Sequence, residues 1–256
     1  MVLQWSGIPI TPDDLVPAVY TPGRKGSLQS ELISAARRHD RLAYSIQGMD
    51  CLIREVATGR PVVVLQNLGL SWLPRWHYAV VIGYDLNSQF VVLHTGDRAA
   101  RQVGLRTFLK TWQRADQWGL SILPTGRMPV CAEESAYLKA ALGLQQAGHS
   151  KSAIEAFCAA ARRWPGSAQA YLALGNAQYA GGSLQEAIQA FSHAVQIEPA
   201  NGPALNNLAH LLAESGDLES AEVMARRAIA IGGAYREVYR RTLEEISLKK
   251  STRFID

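Results

Sequence analysis

From Ala153 onward, small and apolar residues return at a fixed interval. Ala153, Ala187 and Ala221 share one column, and Phe157, Phe191 and Ala225 share the next. Ala160, Ala194 and Ala228 form a third, and Pro165, Pro199 and Gly233 a fourth. The step is 34 residues throughout. Four columns in register over three copies predict a stack of helical hairpins, each too small to bury its own apolar face. In the middle copy Tyr171, Leu174 and Gly175 fall on the first helix, and Ala187, Phe191 and Ala194 on the second. Gly175 and Ala187 are small because the two helices cross there. Pro199 ends the second helix, since it has no N–H to donate and clashes with the preceding turn. Gly181-Gly182 and Gly216-Asp217 supply the reversals between helices. A last helix, Tyr235 to Lys249, carries Arg236, Arg240, Arg241, Glu244 and Glu245 on its wet side, the polar cap that an open stack needs.

The first half has another texture. Thr11-Pro12-Asp13-Asp14 is a cap, a proline and two acids, which opens a short helix. Ser27 caps a second helix, Leu28 to Arg38, and Asp50 begins a third that ends at Gly59. Apolar runs Val62–Leu65, Tyr78–Asp85 and Phe90–Leu93 predict strands, the last two joined by a turn at Asn87-Ser88. Arg106 to Trp112 reads as helical and Trp118 to Leu123 as a closing strand. Helices first and an antiparallel meander later give an α+β domain, not an alternating one. Leu123-Pro124-Thr125-Gly126-Arg127-Met128-Pro129 interrupts regular structure. The expected organisation is therefore an α+β domain over 1–125, a linker over 126–133, and an all-α superhelix with its cap over 134–249.

Composition narrows the function classes. The net charge of +4 is spread along 256 residues. The densest basic stretch, Arg98 to Arg114, alternates with apolar residues between Asp97 and Asp116. It reads as a solvated face, and no aromatic stacking platform accompanies it, so no nucleic-acid partner is expected. No apolar run approaches the ~18 residues a membrane span requires. The opening Met1-Val2-Leu3-Gln4-Trp5 lacks the basic start and long apolar core of a signal peptide. Cys51, Cys131 and Cys158 are odd in number and far apart, which argues against a disulfide framework. Cys51 is expected to be a half-buried small hydrophobe, Cys131 exposed and incidental, and Cys158 core. No cysteine–histidine spacing suits a metal, and no phosphate-binding loop is found, so neither metal nor cofactor is expected.

The repeat columns over about 134–233 resemble tetratricopeptide (TPR) proteins. Ala141 replaces the usual glycine of the first copy and Gln178 the usual tyrosine of the second. The resemblance implies a superhelix that holds a peptide or protein ligand in its groove. Tyr179, Asn176, Asn206 and Asn207 lie on or near the helices that line such a groove. At least one of Asn206 and Asn207 is exposed, because neighbouring helical residues face ~100° apart.

His77 begins a strand after the loop Gly69-Leu70-Ser71-Trp72-Leu73-Pro74-Arg75-Trp76. Alone, it reads either as a packed histidine or as a base at a cleft mouth. His77-Tyr78-Ala79-Val80-Val81-Ile82-Gly83-Tyr84-Asp85 resembles the histidine strand of papain-like cysteine peptidases. The likeness is to the double-glycine-leader (bacteriocin-processing) type and its bacterial relatives with TPR tails. It extends through Gly59–Leu65, Phe90–Leu93, Leu105–Phe108 and Trp112. The resemblance implies that His77 is the base and that a polar group after the next strand orients it. The chain reads His94-Thr95-Gly96-Asp97-Arg98 there, so Asp97, preferred for its charge, and Thr95 are both candidates. Trp72 and Trp76 either wall a substrate cleft or pin the loop to the domain.

In such peptidases a glutamine and the nucleophilic cysteine stand at the start of the first long helix. Val2 to Ile8 resembles the far end of that helix. The expectation is thus a truncated papain-like, antiparallel-sheet domain that keeps its base and lacks its nucleophile. It is either inactive as written or part of an active enzyme whose N-terminal segment lies upstream. The resemblance suggests an exported or lipid-anchored protein; the residues themselves carry no address.

Overall fold

The computed structural model describes residues 1–24 and 26–252. The chain divides into two compact units, Met1–Ser152 and Ala153–Asp256.

The first unit opens with α1 (Val2–Trp5), α2 (Pro12–Val19) and α3 (Gln29–Arg38). Thr11 caps α2 as expected, its hydroxyl accepting from the Asp14 N–H while the Asp14 carboxylate accepts from Thr11. The cap of α3 is Leu28, one residue beyond the expected Ser27. Strand β1 (Leu42–Gln47) and α4 (Met49–Ala57) follow, then β2 (Val62–Asn67), β3 (Trp76–Asp85), β4 (Phe90–Thr95) and β5 (Arg98–Gly104). Helix α5 (Leu105–Gln113) and β6 (Trp118–Leu123) complete a six-stranded sheet of order β1-β6-β2-β3-β4-β5. Every pairing is antiparallel.

The pleat sorts side chains to two faces. Val63, Val80, Ala43, Leu120 and Ile122 face α1, α2 and α3, where they meet Val2, Leu3, Leu15, Leu32 and Ala36. Val62, Val64, Ala79, Val81 and Leu93 are buried on the opposite face, which α4 and α5 cover. Phe108 stacks on Trp112 at 5.3 Å between ring centres, and the Trp112 indole donates to the Trp118 carbonyl at 2.8 Å.

Two strands escaped the sequence reading. β1 is buried as a short strand with no turn signal before it. β5 is one of the two edge strands and is almost wholly exposed, with Arg98 and Arg101 along it. Cations on an edge oppose pairing with a second chain, so an edge strand of this kind has no apolar alternation to find. The expected solvated face is thus half strand and half helix.

Segment 126–133 is not a free linker. The Arg60 guanidinium donates to the Met128 carbonyl at 2.8 Å, the Val130 N–H donates to the Glu55 carboxylate, and the Glu133 N–H donates to the Tyr44 hydroxyl at 3.0 Å. Helix α6 (Glu134–Gln146) then packs on β1 and α3.

The second unit takes up within α7 (Ser150–Arg163) and continues through α8 (Ala168–Ala180), α9 (Leu184–Ile197), α10 (Gly202–Glu214), α11 (Leu218–Ile231) and α12 (Arg236–Thr252). Ala187, Ala194, Ala221, Ala225 and Ala228 have no exposed surface, so the small columns do mark the helix crossings. A Cβ at Gly175 would stand 2.7 Å from the ring of Phe191, itself buried. Gly175→Leu is therefore expected to destabilise this unit by about 2 kcal/mol or more through overpacking, despite leucine's better helix propensity. Urea unfolding followed by circular dichroism checks it.

Candidate functional site

Strand β3 places His77 opposite Gln66 of β2. Gln66 and Asn67 are buried polar residues, and both are satisfied. The Gln66 amide donates to Thr111 Oγ1 of α5 at 2.7 Å. Asn67 Oδ1 accepts from the Gly69 and Arg75 N–H groups at 3.0 and 2.9 Å, which ties both sides of the β2–β3 loop to the strand end. His77 is half-buried, and burial lowers its pKa below the ordinary imidazole value. Its Nε2 lies 2.6 Å from Thr95 Oγ1, at the end of β4. Asp97 lies in the exposed turn beyond, and the hydrogen bond from the ring goes to Thr95.

That geometry has a definite chemical consequence. A neutral imidazole has one donor and one acceptor nitrogen. When Nε2 donates to Thr95, the lone pair of Nδ1 is free to take a proton. When the threonine hydroxyl donates to Nε2, the proton sits on Nδ1 and no base faces outward. A carboxylate would enforce the first arrangement; a hydroxyl permits both.

An open hollow of about 580 Å³ lies on the other face of the same strand. Ser27, Leu28, Gln29, Leu65, Trp76 and Tyr78 line it. The Tyr78 hydroxyl donates to the Ser27 carbonyl at 3.3 Å, and burial pushes its pKa up to about 12. The structure thus separates the two tryptophans. Trp76 lines the hollow, whereas Trp72 projects from the β2–β3 loop with 77% of its surface exposed.

The cysteines require a correction. Cys51 and Cys131 form a disulfide, with Cα atoms 5.8 Å apart and 80 residues between them in sequence. Distance along the chain hid it: α4 and the segment after β6 meet only once the sheet is formed. Cys158 is the free cysteine; it is half-buried in α7, and burial raises its pKa. The unit that contains His77 therefore has no free thiol of its own among the described residues.

Two stretches of the chain match known families. Residues 1–119 match the Peptidase_C39 like family. Residues 138–204 and 179–240 match tetratricopeptide repeat models. The chain thus carries a Peptidase_C39-like region followed by tetratricopeptide repeats. A probable biofilm formation methyltransferase, WspC, of Pseudomonas putida is 32% identical over 117 residues, 43% of this chain and 28% of that protein. The chain thus spans little more than a quarter of that relative's length. The Yersinia enterocolitica type III secretion chaperone SycD, solved in complex with a peptide of the translocator YopD, is 22% identical. That likeness covers 47% of this chain and 98% of SycD at a TM-score of 0.43. The first TPR of Spaghetti (RPAP3), solved bound to the HSP90 peptide SRMEEVD, is 14% identical, covering 46% of this chain and 93% of that one at a TM-score of 0.43.

In the C39-like domain the character of residue 95 can be tested directly. Thr95→Asp puts a carboxylate against the His77 ring and is expected to raise the imidazole pKa by about 1 to 3 units, read from the ring signals in an NMR titration. In the native chain the direction is opposite. The folded pKa lies below the unfolded one, so the unfolded state binds more protons in that window and stability falls as pH drops through about 6.5.

In the repeats, the Asn207 amide donates to Asn176 Oδ1 at 3.0 Å. The Tyr179 hydroxyl donates to Glu214 at 2.9 Å and lies 3.4 Å from His210 Nε2. These contacts form a polar row between α8 and α10. Asn206 stands apart from it, half-buried, with Oδ1 unpaired. His210 and Glu214 were missed by the sequence reading, although His210 is the 34-residue image of Asn176.

Proposed function

We propose that this chain is a binding protein: its TPR array holds an extended peptide, and its C39-like domain does not hydrolyse peptides with the residues present here. The disulfide supports this most directly. It removes Cys51 and Cys131 from nucleophilic chemistry, and a thiol in a disulfide cannot form the thiolate that a cysteine peptidase needs. His77 with Thr95 keeps the shape of a base and its orienting group without a partner to deprotonate. The polar row Asn176, Asn207, Tyr179, His210 and Glu214 supplies donors and acceptors for a peptide backbone, as the TPR match would require. A structural disulfide also suits an oxidising compartment.

A second reading is favoured by the His77–Thr95 geometry. Burial disfavours the charged imidazole, and Nδ1 is left open when Nε2 donates to Thr95. A cysteine supplied by chain ahead of Met1 would then complete a leader-type cysteine peptidase, with His77 as base.

One experiment separates the two. The 256-residue chain is panned against phage-displayed random peptides and, separately, incubated with a fluorogenic double-glycine leader peptide. Peptide enrichment that is lost in Asn176→Ala/Tyr179→Ala, with no cleavage, supports the binding function. Cleavage that iodoacetamide abolishes, or absence of any enriched peptide, overturns it. Restored cleavage when a Gln- and Cys-containing segment of native sequence precedes Met1 would establish the second reading.

A further inference from the structure

We infer that the β2–β3 loop is a finger that docks the protein on a bilayer rich in anionic phospholipid, with Leu70, Trp72 and Leu73 entering the interface. The loop is a tight hairpin. Leu70 and Leu73 exchange backbone hydrogen bonds of 3.2 and 3.1 Å, leaving Ser71 and Trp72 at the tip. Leu70, Trp72, Leu73 and Trp76 are each at least half exposed, the tip tryptophan most of all. Leu70, Trp72 and Leu73 stand outside the hollow that Trp76 lines, and their cost in water asks for an apolar counterpart. The buried side chain of Asn67 holds the loop rigid at its base, so the exposed residues are presented without an ordering cost.

The charges around the tip favour lipid headgroups. No acidic residue occurs between Glu55 and Asp85, or between Asp97 and Asp116. Arg106, Lys110 and Arg114 are exposed and spaced by four, so they form one stripe on α5, while Phe108 and Trp112 turn inward. Arg114 closes the stripe onto the finger, donating to the Gly69 carbonyl at 2.6 Å. Arg75 adds a charge inside the loop, and Arg98 starts β5 at the same end of the sheet, with Asp97 the acid beside it. Leucine and tryptophan at a tip with arginines and lysine behind it match the composition of interfacial anchors. The long cationic side chains can lay their stems along the apolar boundary and keep their heads among phosphates. No helix among the described residues is long and apolar enough to cross a membrane, so the docking is peripheral.

The test uses the full chain and vesicles made from equal parts phosphatidylglycerol and phosphatidylcholine, with pure phosphatidylcholine as comparison. The chain is expected to sediment with the anionic vesicles and to be released by salt. The triple variant L70S/W72S/L73S should lose affinity by about tenfold or more, and R106Q/K110Q by about fivefold per cation. Bromine-labelled acyl chains should quench tryptophan emission in the native chain and less in Trp72→Phe, a change at an exposed site that leaves the fold intact. Equal binding to pure phosphatidylcholine overturns the anionic assignment. Absence of sedimentation, or native-like sedimentation and quenching in the loop variants, overturns the finger and leaves this surface to a protein partner.

Discussion

Replacing Cys51 and Cys131 together by alanine is expected to lower the unfolding free energy of the first unit by about 4 kcal/mol. The bond closes a loop over a sequence separation of 80 residues, and releasing it returns that closure entropy to the unfolded chain. The loop holds β2 to β6, so the unfolded state regains freedom across most of the sheet. In thermal terms the midpoint should fall by about 10 °C for a unit of this size. Thermal unfolding of the native chain with and without dithiothreitol should reproduce the shift, and the double variant should be insensitive to the reductant. A midpoint that ignores both treatments would show that α4 and segment 126–133 are held by their polar contacts alone. Those contacts are considerable: Arg54 reaches the Val130 carbonyl, Arg60 the Met128 carbonyl, and Glu55 the Val130 N–H.

The repeats were legible because their signal is redundant. Ala187 or Ala221 alone says little, but a column of small residues at one interval states that helices cross at each copy, and the buried alanines confirm it. The strands at β2, β3 and β4 were legible as apolar runs, because each buries one face and covers much of the other with β-branched and aliphatic side chains. β5 was not, since an edge strand facing solvent is written in arginine, alanine and glutamine like any wet surface. The candidate site was legible only in part. His77 could be placed at the mouth of its strand from order and pattern. Its partner is settled by diagonal geometry across two strands, with Thr95 opposite Ala79, which no spacing along the chain encodes. The separation of Trp72 from Trp76 is likewise a matter of pleat and hairpin. The disulfide was hidden for the same reason: Cys51 and Cys131 meet through the tertiary fold, and counting cysteines cannot show it.

Glu55→Ala is expected to destabilise the first unit by about 3 to 5 kcal/mol. Glu55 has no exposed surface, yet it is a carboxylate on the apolar side of α4. It persists because three elements converge on it. Arg60 approaches Oε2 at 3.3 Å, the Ser121 hydroxyl of β6 lies 3.4 Å from the same oxygen, and the Val130 N–H donates to Oε1. Truncation leaves a largely buried guanidinium with the Met128 carbonyl but no counter-charge, and the Val130 N–H without its acceptor, and that loss outweighs the desolvation regained. Arg60→Met should be comparably harmful, because it strands a buried carboxylate with no cation. Combining Glu55→Leu with Arg60→Met should recover much of the stability, since a buried ion pair is close to neutral against apolar side chains of similar volume. Urea denaturation of the four proteins gives the coupling energy directly. A double variant no more stable than the singles would mean that Glu55 acts chiefly through Val130, holding segment 126–133 against the sheet. The cycle must be run with the disulfide intact, because Cys51, Glu55 and Arg60 secure the same segment and their effects will not add.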